Sequence, residues 1–339
     1  NGIVIDSNGL NYQGDDDTYT VEYGTDGTAL HIVYSGATNG WIPTLDKTVD
    51  DVPSKGNSEG IFGYGYDGSN RVSMTNLVSN TGVVATDVTG VGTARQVLGA
   101  CEYGGDKGIF GFGNPSAGVF TSVTNLVSNT GVVATDQAAT TGTARYYVAG
   151  CSFGGDKGIF GLGTGASSFS NIVSNTGVVA TDVSNSGTAR EVGAACEYGT
   201  DTAIFGFGST SHGGITNLVT NVGVIGSDVA EVGTARFLSA ACSYGGDKGI
   251  FFGGNDGSAC DITNLVSNTG VIQSDGTGVG TARWGLGGTQ YDGDKGIFAY
   301  GTTGSLVSMS NLVSNSGVVA SDVTGVGTAR NFIAACSFN

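Results

Sequence analysis

From Glu59 to Phe338 short apolar runs alternate with Gly, Ser, Thr, Asn and Asp, and they recur as one phrase. A clear copy reads Lys107-Gly-Ile-Phe-Gly-Phe-Gly113, Thr124-Asn-Leu-Val-Ser-Asn-Thr-Gly-Val-Val-Ala-Thr-Asp136, Gly142-Thr-Ala-Arg145, then Tyr146 to Phe153. Its Arg falls at positions 95, 145, 190, 236, 283 and 330, and its Ile-Phe pair begins at 61, 109, 159, 204, 250 and 297. Six copies at a period of 45 to 50 residues, punctuated by Gly and without helix formers, predict propeller blades rather than a leucine-rich or helical solenoid.

Each period accommodates four strands. Counting from the Arg as zero, the stretch +1 to +8 alternates with the two-residue period of a pleated strand. Positions +4 and +6 are small, with Cys101, Cys151, Cys196, Cys242, Thr289 and Cys336 at +6, and +8 is aromatic in every copy. That even face is predicted to pack. The odd face carries Gln96, Tyr146, Glu191, Phe237, Trp284 and Asn331 at +1 and Glu, Ser or Gln at +7, and is expected to meet water or a ligand. A Gly-Gly-Asp-Lys type turn leads to the Ile-Phe strand, and Thr-Asn-Leu-Val-Ser and Gly-Val-Val-Ala-Thr-Asp supply the third and fourth strands around an Asn-Thr-Gly turn. The array opens on a second strand (Gly60 to Gly65) and stops after a first (Asn331 to Phe338), so the last strand is placed to complete the first blade and close the ring. The expectation is an all-β chain: a six-bladed β-propeller over residues 58–339, on a small β-rich module at 1–57.

Composition narrows the function. Among 339 residues, 13 Lys plus Arg against 29 Asp plus Glu leave a net charge of −16, which opposes binding to nucleic acid or an anionic membrane. No apolar run is long enough to span a bilayer. With two His, His31 and His212, a His-rich metal centre or an acid–base relay lacks raw material. Gly-x-Gly elements lie on strands and cradle no phosphate, and no Gly-x-Ser-x-Gly elbow, His-Glu-x-x-His or Cys-x-x-Cys occurs. The reading is therefore non-enzymatic, with no cofactor and no metal. A paired-carboxylate hydrolase stays open, because Asp is abundant and fold does not decide chemistry.

The Gly-Thr-Ala-Arg lead into an inner strand, the apolar second strand ending in Gly and the third strand opening Thr-Asn-Leu-Val resemble a kelch-type propeller over about residues 58 to 339. Two features depart from kelch: the fourth-strand Trp is replaced by Val84, Val133, Val179, Ile225, Ile272 and Val319, and the Gly-Gly doublet is mostly Gly-x-Gly. The near-identical blades, with Tyr19-Thr-Val-Glu-Tyr23 and Ile32 to Pro43 ahead of them, are similar to fibre and appendage proteins of tailed phages. That resemblance implies a structural or host-adhesion role at the virion surface, attachment to other virion proteins and homo-oligomerisation through residues 1–57, and host-surface carbohydrate as a partner. A secreted or cell-surface lectin is the alternative.

Several residue groups carry a sharper and a plainer reading. The equivalent cysteines read as small buried residues between blades, because sheets stack at ~10 Å and a disulfide needs Cα atoms within ~7 Å; a thiolate metal ring is disfavoured by Thr289. Cys260, off the repeat, is the candidate exposed thiol. Arg95, Arg145, Arg190, Arg236, Arg283 and Arg330 read as structural, paired with a carbonyl or with Asp87, Asp136, Asp182, Asp228, Asp275 and Asp322. Asp15-Asp16-Asp17 lacks calcium-loop spacing and reads as a solvated turn. Blades differ most at +1 and in the loop between second and third strands, which kelch-type propellers place on one face. The mixture of rings and polar groups at Gln96, Tyr146, Glu191, Phe237, Trp284 and Asn331 suits sugar or peptide recognition, against the plainer reading of drift at solvent-exposed positions.

Overall fold

The computed structural model describes residues 3–14, 21–23, 31–44, 57–138, 142–164, 168–191, 193–208, 214–230 and 232–339. Asp15 to Asp17, His212 and parts of two variable loops (165–167 and 209–213) lie outside the described residues. The chain divides into two compact units, Asn1–Lys55 and Gly56–Asn339. The first contains two antiparallel strand pairs, Ile3–Ile5 with Val21–Tyr23 and Ile32–Tyr34 with Trp41–Pro43, around Tyr12, Val21, Ile32 and Trp41. Asn57, assigned by sequence to the N-terminal module, is buried in the second unit, where its amide donates to Ser337 Oγ at 3.2 Å.

The second unit is all-β, with no helix among the described residues, and forms six antiparallel sheets of three or four strands. First strands are Gly99–Tyr103, Ala149–Phe153, Ala194–Tyr198, Ala240–Tyr244, Gly287–Tyr291 and Ala334–Phe338. They pair respectively with second strands Lys107–Gly111, Lys157–Gly161, Thr202–Gly206, Lys248–Asn255, Lys295–Ala299 and, for the last, Glu59–Gly63. Cys336 thus faces Ile61 across a ladder joining the two ends of the unit. Third strands follow at Thr75–Val78, Thr124–Val127, Phe169–Val173, Thr216–Val219, Ala259–Val266 and Ser310–Val313. Consecutive first strands lie side by side, and Ala334–Phe338 neighbours both Gly287–Tyr291 and Gly99–Tyr103.

Two structural reasons shorten the strands relative to the sequence reading. The first strand begins at +4, not +1, because the residue at +2 is left-handed: Val97, Tyr147, Leu238 and Phe332 have φ of 52, 58, 56 and 55°. The fourth segment is mostly held by isolated bridges such as Val78 to Val84 and Thr75 to Val88; a paired strand forms at Val183–Ser184. The cause is the Asn of the third strand. Asn76 Nδ2 donates to Ala85 O at 2.9 Å, so a side chain takes the carbonyl that a main-chain amide would otherwise reach.

That Asn belongs to a relay repeated in all six sheets. In one copy, Arg95 Nε donates to Phe112 O at 2.8 Å, a terminal nitrogen donates to Thr93 O at 3.0 Å, and the other donates to Asn125 Oδ1 at 2.7 Å. Asn125 Nδ2 donates to Asp136 Oδ1 at 3.0 Å, and Thr93 closes the circuit by donating from its amide and hydroxyl to Asp136. The carboxylate is therefore reached mainly through the Asn; among the described residues, direct contacts at 3.7 to 3.9 Å are Arg145–Asp182, Arg283–Asp322 and Arg330–Asp87. Arg330 bonds Tyr64 O and Asn76 Oδ1, residues at the opposite end of the unit. Backbone amides of Gly65, Gly113, Gly163, Gly208, Gly254 and Gly301 donate to the carbonyls of Arg95, Arg145, Arg190, Arg236, Arg283 and Arg330, joining each sheet to its neighbour. Five guanidiniums also lie over an aromatic ring of the preceding sheet, as Arg145 does over Phe112 at 4.4 Å; opposite Arg190 the preceding residue is Leu162.

The second strands pack on both faces, so Ile and Phe are both fully buried there, as at Ile109 and Phe110. The +6 sulfur sits against the Gly that opens a neighbouring second strand: a Cβ on Gly108 would lie 2.5 Å from Cys336 Sγ. Cys and Gly are thus a size-matched pair between sheets.

Two substitutions test this packing. Arg145→Ala strands Leu162 O, Thr143 O and Asn171 Oδ1 and should cost about 3 to 5 kcal/mol in urea unfolding. Gly108→Ala should cost about 1 to 3 kcal/mol, and adding Cys336→Ala should recover most of it, because the next neighbour of the new methyl is Val127 Cβ at 3.4 Å.

Candidate functional site

The variable +1 residues and the loops between second and third strands do share one face. Gln96 and Asn114, Phe237 and Asn255, Trp284 and Thr302, and Asn331 and Tyr66 exchange backbone hydrogen bonds in pairs, and Thr164 N donates to Tyr146 O at 2.9 Å. Their side chains are less open than the sequence reading expects. Asn331 is 5% exposed, Gln96 has a buried Oε1 without a partner, and Tyr146, Glu191, Phe237 and Trp284 are half-buried.

The residues that line the middle of this face are at +2, which sequence reasoning missed. Tyr147 N donates to Val97 O, Val97 N to Phe332 O, Phe332 N to Gly285 O and Gly285 N to Leu238 O, so adjacent sheets are laced together through consecutive +2 residues. The left-handed conformation serves this lacing, and it is unfavourable for a β-branched residue such as Val97. It also reverses the side-chain phase. Strict alternation assigns +2 to the packed face, whereas Val97, Tyr147, Leu238 and Phe332 border a cavity of about 100 Å³ with Leu98, Val148, Ser239, Leu286 and Ile333. The available signal was the apolar or Gly residue at +2 in every copy.

Rings run across this face in sequence. Phe120 stacks on Tyr146 at 4.7 Å, Tyr146 meets Tyr147 at 4.6 Å, Tyr147 meets Phe332 at 6.4 Å, and Phe332 meets Trp284 at 5.7 Å. Phe120 is 44% exposed, and the other four are half-buried. Two of the six sequence-predicted candidates, Tyr146 and Trp284, are thereby linked through two residues that were not predicted. Among the described residues Phe237 stands outside that chain of ring contacts.

A second, polar cavity lies between the first strands. Glu102, Ser152, Glu197, Ser243 and Gln290, all at +7, line a space of about 40 Å³. Ser337 Oγ donates to Glu102, Gln290 Nε2 reaches Glu102 Oε2 at 3.5 Å, and Ser152 Oγ donates to Glu197 Oε2 at 2.7 Å. Burial, with the nearby Glu102 charge, pushes the Glu197 carboxyl up to about 8; burial raises Glu102 as well, against the opposing Ser337 bonds. Raised carboxyls sharing a cavity resemble an acid and its partner. The space, however, admits a water or a single ion and is far too small for a sugar ring.

No protein-family model and no curated protein matches this chain. All six cysteines are free and buried. Burial pushes the thiols of Cys101, Cys151, Cys196, Cys242 and Cys336 far up, which suits inert packing groups. The expected exposure of Cys260 is overturned: it is 7% exposed and its thiol donates to Gly254 O at 3.3 Å, because the second and third strands of its sheet extend to enclose it. Among the described residues no group of three or more His, Cys, Asp or Glu is placed to hold a metal.

The carboxylates set opposite pH limits. Burial raises the relay aspartates Asp87, Asp136, Asp182, Asp228, Asp275 and Asp322, but hydrogen bonds from Thr and Asn outweigh it and hold them below the ordinary aspartate value of 3.8. Their stabilisation is present above that value and is lost as pH falls through the folded values. Glu197 acts in the other sense. The folded state keeps a proton that the unfolded chain releases near 4.5, so stability falls as pH rises from there to about 8. Glu197→Gln should flatten this slope and raise stability at pH 8 by roughly 1 to 4 kcal/mol, read from thermal unfolding at pH 5 and pH 8.

Proposed function

We propose that residues 58–339 form a closed six-bladed kelch-like β-propeller and act as the non-enzymatic recognition head of a virion fibre or appendage that binds host-surface glycans. Support for closure comes from the ladder between Ala334–Phe338 and Glu59–Gly63 and from the reach of Arg330 to Tyr64 and Asn76. Residues 1–57 are the attachment module in this reading, joining other virion proteins and further copies of the chain.

The observation that carries the ligand assignment is the run of rings Phe120, Tyr146, Tyr147, Phe332 and Trp284 across one face. Aromatic faces stack on the apolar faces of sugar rings, and half-buried polar groups beside them orient hydroxyls. A chain of net charge −16 gains little from charge-led capture of anionic surfaces, whereas stacking is indifferent to that charge.

The test is a glycan array probed with the full chain and with Trp284→Ala and Tyr146→Ala. Binding by the wild type, weakened about tenfold or more by either substitution with thermal unfolding unchanged, is the expected result. A wild-type protein that binds no glycan would make the propeller a decoration without a recognition role.

A further inference from the structure

We infer that the recognised glycan carries a neutral acetamido sugar and that its acetamido group, not its ring, enters the cavity beneath Tyr147 and Phe332. The inference rests on the recognition role proposed above and names the ligand class and the subsite that reads it.

Size is the first argument. The cavity is about 100 Å³. An apolar protein cavity of about 150 Å³ accommodates benzene, so this one is too small for a hydroxylated pyranose ring and large enough for a methyl and a carbonyl. Chemistry is the second. The side chains of Leu98, Val148, Leu286 and Ile333 are aliphatic, and the polar share of the lining is main chain and hydroxyl. A sugar hydroxyl placed against those side chains would lose its water without a partner, at a cost of about 2 to 7 kcal/mol, whereas a methyl gains by leaving water.

The third argument is Ser239, which with the Tyr147 phenol supplies the side-chain hydroxyls lining this cavity. It is 7% exposed, and its hydroxyl has no hydrogen-bond partner in the protein. At the equivalent +3 position the other copies carry Leu98, Val148, Gly193, Leu286 and Ile333, so the hydroxyl is not a requirement of the repeat. A buried donor without an acceptor is costly. Rotation about one bond lets Ser239 Oγ donate to the carbonyl of an acetamido group whose methyl lies against Leu98 and Leu286. A 6-deoxy sugar would fill the apolar space with its methyl but leave Ser239 unpaired. A sialic acid brings an acetamido group together with a carboxylate, which meets Glu191 on the same face and the net charge of −16.

The test is calorimetric titration of the full chain with matched ligands that differ at the acetamido group: N,N′-diacetylchitobiose against cellobiose, and methyl N-acetylgalactosaminide against methyl galactoside. At least one acetamido ligand should bind tenfold or more tighter than its hydroxyl counterpart. Ser239→Ala should remove about five- to tenfold of that preference without weakening the counterpart, and Leu286→Phe, which fills the cavity, should abolish it. Ser239→Ala leaves the aliphatic wall intact and keeps the question answerable if Leu286→Phe does not fold. Equal affinity within both pairs, or a preference that survives Ser239→Ala unchanged, overturns the inference. Array binding confined to glycans without acetamido groups also overturns it while leaving the recognition role standing. Binding to nothing removes both.

Discussion

Six buried guanidiniums impose the constraint on which the rest of this unit depends. A charged group taken out of water must find hydrogen-bond acceptors in fixed directions, and each Arg finds them in its own Gly-Thr-Ala-Arg phrase, at the end of the second strand and in the third-strand Asn. The Asn amide is what makes the circuit close, because it accepts from the guanidinium on one side and donates to an aspartate and a carbonyl on the other. One side chain therefore fixes the loop before the first strand, the register of the second and third, and the path of the fourth segment. Since the Arg carbonyl also accepts from a Gly of the adjoining sheet, and most of the guanidiniums lie on that sheet's aromatic ring, the same residue sets the spacing between sheets.

This division of labour explains what was legible in the sequence. Repeat length, the Ile-Phe strand, the Thr-Asn-Leu-Val strand, the small +4 and +6 positions and the aromatic +8 all follow from burial and strand alternation, which act through composition and spacing alone. The Arg was legible as a structural residue with a carbonyl or an Asp as its partner, but the Asn between Arg and Asp was not. An Asn in a strand registers as a weak strand former, not as a bridge, until the three side chains are seen in space. The shortening of the first strand was not legible at all. It depends on a left-handed residue at +2, and Val, Tyr, Leu and Phe give no local signal for that conformation; Gly285, which lacks a Cβ, does. Because that turn reverses the side-chain phase, the candidate site at +1 was displaced by one residue from the positions that border the cavity.

The first strands thereby present three kinds of chemistry along their length. At +7 the groups are carboxylates, hydroxyls and an amide around a space for a water or an ion. Through +4 to +6 they are small, because sulfur, methyl and Gly are what fit between sheets so closely set. At +2 and +3 they turn aliphatic and aromatic around the larger cavity. The polar end carries an energetic penalty that grows as its carboxyls ionise. The apolar end carries another, in left-handed backbone and in a hydroxyl without a partner.

Repetition gives those penalties their meaning. Where packing decides, the six copies agree: Arg at zero and an aromatic residue at +8 occur in all of them. A cavity lined for packing alone would be met equally well by one residue type in every copy. At +2, Gly285 stands among Val, Tyr, Leu and Phe, and at +3 Ser239 and Gly193 stand among Leu, Ile and Val. Packing does not ask for that asymmetry, whereas the proposed ligand would, because a sugar has no six-fold symmetry and is held in one orientation only by a wall that differs from side to side. The same reasoning separates this cavity from the exposed valines at 83, 132, 178, 224, 271 and 318, which are identical in all six copies and so distinguish no copy from another.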